Sequence, residues 1–119
     1  MDLETVRPYL LPAAVAAWFG WRYWGYSRVK RRLPELLRRG AVVVDEHSPA
    51  EYAGGSWPGS LNIPLSELQE RCKALDKARP VVVCCASGTR SGLAARVLRA
   101  MGFKEVVNAG PWTNTLDAR

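Results

Sequence analysis

Apolar positions are distributed in two different ways along this chain. From Val6 to Tyr26 they form one aromatic-rich block, most of it "YLLPAAVAAWFGWRYWGY". From Leu33 onward they come in short packets separated by polar and glycine- or proline-containing stretches. "LPELLRRG" predicts a short helix, with Pro34 in its first turn and Gly40 just past its end. "AVVVD" is a β-branched run of the kind that forms a buried strand, here ending at Asp45. "SPAEY" predicts a helix start, with Ser48 as N-cap, Pro49 following and Glu51 completing a capping box. After the loop "GGSWPGSLNIP", Asn62 and Ile63 suggest a brief strand. Ser66 then caps a helix that places Leu68, Cys72 and Leu75 on one face.

Pro80 opens a second buried strand, "VVVCC". "SGLAARVLRAMG" follows as a helix, with Leu93, Val97, Leu98 and Met101 inward and Gly102 closing it. "KEVVN" is a last short strand, and "AGPWTNTLDA" turns into a helix starting near Pro111. Short strands alternating with helices imply an α/β domain: a mostly parallel sheet with helices on both faces. The division falls near Arg28–Arg32, giving a hydrophobic N-terminal segment over 1–27 and a folded domain over 28–119.

Charge sharpens that division. The chain of 119 residues carries +6 overall. Arg22, Arg28, Lys30, Arg31, Arg32, Arg38 and Arg39, against Glu35, hold the whole excess within residues 22–39. The domain beyond is nearly neutral, which argues against a nucleic-acid-binding face. Basic residues directly after an apolar segment fit a membrane surface. The clean apolar run Tyr9–Trp21 is short for a span of roughly 20 residues, whereas Val6–Gly25 reaches that length with Arg7 and Arg22 near its ends. Residues 6–26 are therefore read as a membrane attachment, a single-pass anchor with the domain on the cytoplasmic side. An interfacial or docking helix, a cleaved secretory signal ending near "AVA", and a helix packed on its own domain or on a second copy in a homodimer are the other readings. A soluble cytoplasmic protein is the alternative location.

Three cysteines, two of them adjacent, do not make a disulfide framework. Cys72 reads as a core thiol. Neighbours on a strand point to opposite faces, so Cys84 and Cys85 are not equivalent. Cys85 opens onto "ASGTR", whose backbone N–H groups can form an anion-binding nest in front of a helix start, with Arg90 adding a full charge. That arrangement favours a thiolate at Cys85. Cys84 then points into the packing as a small buried hydrophobe, a resolving or redox thiol being the alternative.

The segments "VVVDEHSPAEY", "GGSWPGSLNIPLSEL", "VVCCASGTRSGLAARVLRAMGF" and "VVNAGPW" together resemble single-domain rhodaneses, thiosulfate sulfurtransferase-like modules of the small phage-shock type. The resemblance runs from about Leu33 to Trp112. It implies a rhodanese-like fold with a five-stranded sheet and no cofactor or metal. It implies Cys85 as nucleophile and persulfide carrier, with Ala86, Ser87, Gly88, Thr89 and Arg90 binding the substrate. The donor would be a small anion such as thiosulfate or a persulfide; the acceptor, a thiol or cyanide. Spacing of the form Cys-x4-Arg is one residue shorter than in the related phosphatases and disfavours phosphate esters.

Three positions depart from the family pattern. Asp45-Glu46-His47 stands where the family has Asp-x-Arg, Ser56 replaces a histidine, and Pro111 replaces a glycine. Asp45 and His47 are candidate supporting residues; a satisfied surface or turn histidine is the other reading of His47. The competing functions are a non-catalytic module for partner docking or sulfur and redox sensing, and a cysteine-based phosphatase or arsenate reductase.

Overall fold

A computed structural model describes residues 2–86, 88–113 and 115. The first element is one long helix, α1, Leu3–Arg38. At about 1.5 Å per residue its 36 residues account for most of the 58 Å longest dimension. Asp2 caps its start by accepting from the Glu4 N–H. The helix runs without a break through residues 28–32 and through Pro34, so "LPELLRRG" is its last turns and not a separate helix. Leu33 and Leu36 explain why it persists: each is 1% exposed, packed on the sheet. Burying a leucine contributes roughly 1.5–3 kcal/mol, so the two offset much of the cost of a proline inside a helix.

The remaining elements are β1 (Val42–Asp45), α2 (Pro49–Gly54), β2 (Leu61–Asn62), α3 (Leu65–Arg71), a 3₁₀ turn at Cys72–Ala74, β3 (Val81–Cys85), α4 (Thr89–Ala100) and β4 (Val106–Pro111). The strands form one parallel sheet in the order β2-β1-β3-β4. Four strands are present among the described residues, not five; between Leu3 and Arg38 the chain is helical and contributes none. Helices cover both faces as expected. Val42, Val44, Val81 and Val83 pack with α3 and α4, whereas Val43, Val82, Cys84 and Val107 pack under Leu33 and Leu36 of α1.

Ser48 and Glu51 form the reciprocal capping box, at 3.3 and 3.0 Å. Helix α3, however, starts at Leu65 behind Pro64, and Ser66 makes no cap. In α4 the inward face is Ser91, Ala94, Ala95 and Leu98; Leu93 is 47% exposed. Alanines let α4 lie close to β3 and β4, where a leucine row would hold it away. Strand β4 extends past Asn108 to Pro111, with an irregularity opposite Val83 and Cys84. The expected C-terminal helix lies largely outside the described residues; Trp112 and Thr113 form a 3₁₀ turn.

Among the described residues no helix is long and apolar enough to cross a membrane. This overturns the single-pass anchor. The uninterrupted apolar stretch ends at Arg22, well short of roughly 20 residues. The aromatic half of α1 is nevertheless open to solvent, with Phe19 62%, Trp21 68% and Tyr23 74% exposed.

Candidate functional site

Strand alternation separates the two adjacent thiols. Cys84 shares the α1 side of the sheet with Val82 and Ala109. Its sulfur lies 3.8 Å from the Val44 carbonyl oxygen, and burial together with the nearby Asp45 pushes its thiol far above the usual range. Cys85 lies on the α4 side, where the chain turns into the loop before that helix. Cys72 is fully buried in the core beneath α4, and burial raises its thiol as well.

Cys85 is fully buried, and polar groups surround its sulfur. The Gly88 N–H donates to Sγ at 2.8 Å, and Ser91 Oγ lies 3.5 Å away. Both groups come from the start of α4, whose partial positive end faces the sulfur. Gly88 has φ +95°, a left-handed conformation that turns its N–H back toward the cysteine. Ser91 is itself fixed: its hydroxyl lies 3.1 Å from the Gly88 carbonyl and 2.7 Å from Asn108 Oδ1. Asn108 in turn accepts from the Gly110 N–H at 2.9 Å. Loop, α4 and β4 are thus joined around one sulfur. Ser91 and Asn108 were not among the sequence candidates. A serine one turn into a helix after the loop was the available signal for Ser91; nothing local marks Asn108.

Of the expected substrate-binding residues, Gly88 meets the sulfur through its N–H, Ala86 and Thr89 are exposed on the same loop and helix start, and Ser87 lies outside the described residues. Arg90 points to α2. Its guanidinium makes a two-pronged contact with Glu51, at 2.8 and 3.0 Å. That contact raises the arginine and, with the Ser48 cap, holds the Glu51 carboxyl well below its usual range. Arg90 therefore ties the first turn of α4 to the first turn of α2.

Asp45 and His47 lie together at the end of β1, and both are buried. The His47 N–H donates to Asp45 Oδ1 at 2.8 Å, and Nδ1 lies 3.0 Å from the same oxygen without the alignment of a hydrogen bond. Burial raises the Asp45 carboxyl, and the His47 N–H partly opposes the shift. The imidazole meets Trp112 edge-on, its ring centroid 6.5 Å away, so His47 is a packed residue and not a surface one. Glu46, between them, is 1% exposed, and neither of its oxygens has a hydrogen-bond partner among the described residues. Burial, then the neighbouring Asp45, pushes its carboxyl up to about 8, so it is mostly neutral at pH 7.

Helix α1 packs on its own domain, one of the alternative readings of the segment, and its Tyr26 also reaches the site. Tyr26 lies against the loop so closely that a Cβ on Gly88 would collide with its hydroxyl, and one on Gly110 would come within 2.8–2.9 Å of its ring. Arg22, one turn earlier, donates to the Tyr26 hydroxyl and stacks over Trp18, 4.8 Å from the ring centroid. No group of three or more His, Cys, Asp or Glu side chains among the described residues could hold a metal ion.

Residues 29–110 match the model of the rhodanese-like domain family. The putative sulfur carrier protein YrkF of Bacillus subtilis is 36% identical over 75 residues, 60% of this chain and 40% of that protein. The thiosulfate sulfurtransferase PspE of Escherichia coli is 39% identical over 69 residues, 56% of this chain and 66% of that protein. The chain thus spans less than two thirds of these curated relatives. A solved rhodanese from E. coli with anions superposes with a TM-score of 0.59 at 37% identity, covering 62% of this chain and 89% of that one. The family match begins at residue 29, so Arg22 and Tyr26 lie outside it.

Proposed function

This chain belongs to the rhodanese-like domain family, and from that membership we propose that it is a sulfurtransferase working through a Cys85 persulfide. The observation that carries the reading is the Gly88 N–H aimed at Cys85 Sγ at 2.8 Å, at the positive end of α4. Such donors favour negative charge on the sulfur, both as thiolate and as persulfide. With thiosulfate as donor, the Cys85 thiolate attacks the outer sulfur. The sulfur–sulfur bond of thiosulfate breaks, its electron pair leaves with sulfite, and Cys85 keeps one added sulfur as a persulfide anion. A thiol or cyanide acceptor then attacks that outer sulfur and regenerates the Cys85 thiolate. Two half-reactions sharing one covalent intermediate give ping-pong kinetics.

Ser91 and Asn108 hold the loop, and Arg90 with Glu51 fixes the angle of α4. Asp45 and His47 support the neighbouring strand end. Thiosulfate:cyanide assay of wild type and of Cys85→Ser tests the proposal. Turnover in wild type and none in the variant supports it; no turnover in wild type favours the non-catalytic docking or sensing module.

The same reading extends to location. We place α1 on an anionic membrane surface, with the domain on the cytoplasmic side. Exposed Phe19, Trp21 and Tyr23, followed by Arg28, Lys30 and Arg31, put aromatic and basic groups next to one another on the open part of α1. Co-sedimentation with vesicles containing an anionic lipid, set against neutral vesicles, tests it. Equal recovery in both supernatants would leave the soluble cytoplasmic alternative, and a concentration-dependent mass would favour a homodimer through α1.

A further inference from the structure

We propose that Arg22 of α1 and Arg96 of α4 form an anion subsite at the edge of the catalytic loop, which holds the sulfonate-type end of the sulfur donor. The two arginines line one cavity of about 280 Å³ with Gly88, Thr89, Gly92 and Leu93. Gly88, whose N–H meets the Cys85 sulfur, is one of the lining residues, so the cavity and the sulfur share that residue of the loop. Arg32, Arg39 and Arg90 are each paired with a carboxylate. Among the described residues neither Arg22 nor Arg96 has such a partner, and both face the same space. The start of α4 adds its partial positive charge there.

The Arg22 head group is held ready for that task. It donates to the Tyr26 hydroxyl and lies over the Trp18 and Tyr26 rings, at 4.8 and 5.6 Å from their centroids. Tyr26 is in turn fixed against Gly88 and Gly110. A guanidinium restrained in this way loses little freedom when an oxyanion arrives, and a planar fork of donors suits a sulfonate. Arg90, engaged by Glu51, does not supply that charge; Arg22 and Arg96 do. A helix segment outside the family match therefore completes the donor site, and removing residues 1–27 would remove Arg22 and Tyr26 with it.

The inference rests on the sulfurtransferase reading only for the identity of the anion. It is tested on the full chain carrying Cys85→Ser, titrated with sulfate and with thiosulfate by calorimetry and by tryptophan fluorescence. One anion is expected per chain. Arg22→Gln should weaken it about tenfold or more, as loss of a charge-assisted contact does. Arg96→Gln should weaken it less, and Arg22→Lys should restore part of the affinity. Arg7→Gln removes the same charge at the far end of α1 and should change nothing. Absence of binding, unchanged affinity in Arg22→Gln, or an equal loss in Arg7→Gln would overturn the subsite. In the active chain, Arg22→Gln should raise the KM for thiosulfate by a similar factor and leave kcat within about twofold. If wild type transfers no sulfur but still binds anion through Arg22, the sulfurtransferase reading fails and the subsite stands. If wild type is active and its KM ignores Arg22→Gln, the subsite fails and the sulfurtransferase reading stands.

Discussion

At the end of β3 one peptide bond separates two thiols, and the sheet gives them opposite surroundings. Cys84 meets valines, Ala109 and a buried carboxyl. Cys85 meets an N–H, a hydroxyl and the start of a helix. Both are fully buried, so burial does not distinguish them. Donors do. A buried group without donors is pushed toward its neutral form; the same group facing N–H dipoles can carry charge. The pair is thus an internal control for the proposed chemistry, supplied by the two-residue period of a strand.

The sharpest way to break that comparison is to remove each sulfur in turn. Cys85→Ser should lower thiosulfate:cyanide turnover by about a thousandfold or more, since the covalent intermediate is lost. Cys84→Ser should leave turnover within a few-fold and appear instead in denaturant melts, where a buried hydroxyl in an apolar setting costs about 1–3 kcal/mol. Equal loss of activity in both would mean that the two thiols act as a unit.

Glu46 extends the same lesson to a carboxyl. In the folded chain it keeps its proton up to about pH 8, against an ordinary value of 4.5. Between those values the unfolded chain has released the proton and the folded chain has not. Stability should therefore fall as pH rises through that window, by up to about 5 kcal/mol, and the effect should vanish below it. Glu46→Gln should flatten this part of the pH–stability profile; an unchanged slope would show that a different group titrates there.

Smaller effects test the contacts around Cys85. Ser91→Ala removes one hydroxyl near the sulfur and the link to Asn108, and should reduce turnover about three- to tenfold, near 1 kcal/mol. Glu51→Gln frees Arg90. It should change turnover less than Ser91→Ala, because the contact lies at the rim and not at the sulfur. A larger loss in Glu51→Gln would place Arg90 among the groups that touch substrate.

What the sequence made legible follows from the range of each interaction. Alternation along "VVVCC" and the capping box at Ser48 depend on neighbours a few residues apart, and both are present. Pro34 read as a helix start because the burial of Leu33 and Leu36 against Val82 and Val107 is a long-range fact. The inward face of α4 was misread at Leu93 for a similar reason: close approach to the sheet selects the alanines. The fifth strand rests on the resemblance alone; the apolar packets themselves mark four, and four are present among the described residues. Around the site, the loop from Cys85 to Arg90 was visible as a motif. Its supports were not, since Ser91 meets Asn108 across 17 positions and Arg90 meets Glu51 across 39. Tyr26 over Gly88 is more distant still in sequence, and no local pattern announces it.

The most direct test of the central claim is the intact mass of the chain after treatment with thiosulfate in the absence of acceptor. Wild type and Cys84→Ser should each gain one sulfur atom, lost again on addition of cyanide, and Cys85→Ser should gain none. A wild-type chain that takes up no sulfur, or a Cys85→Ser chain that still does, would contradict the assignment of Cys85 as the sulfur carrier.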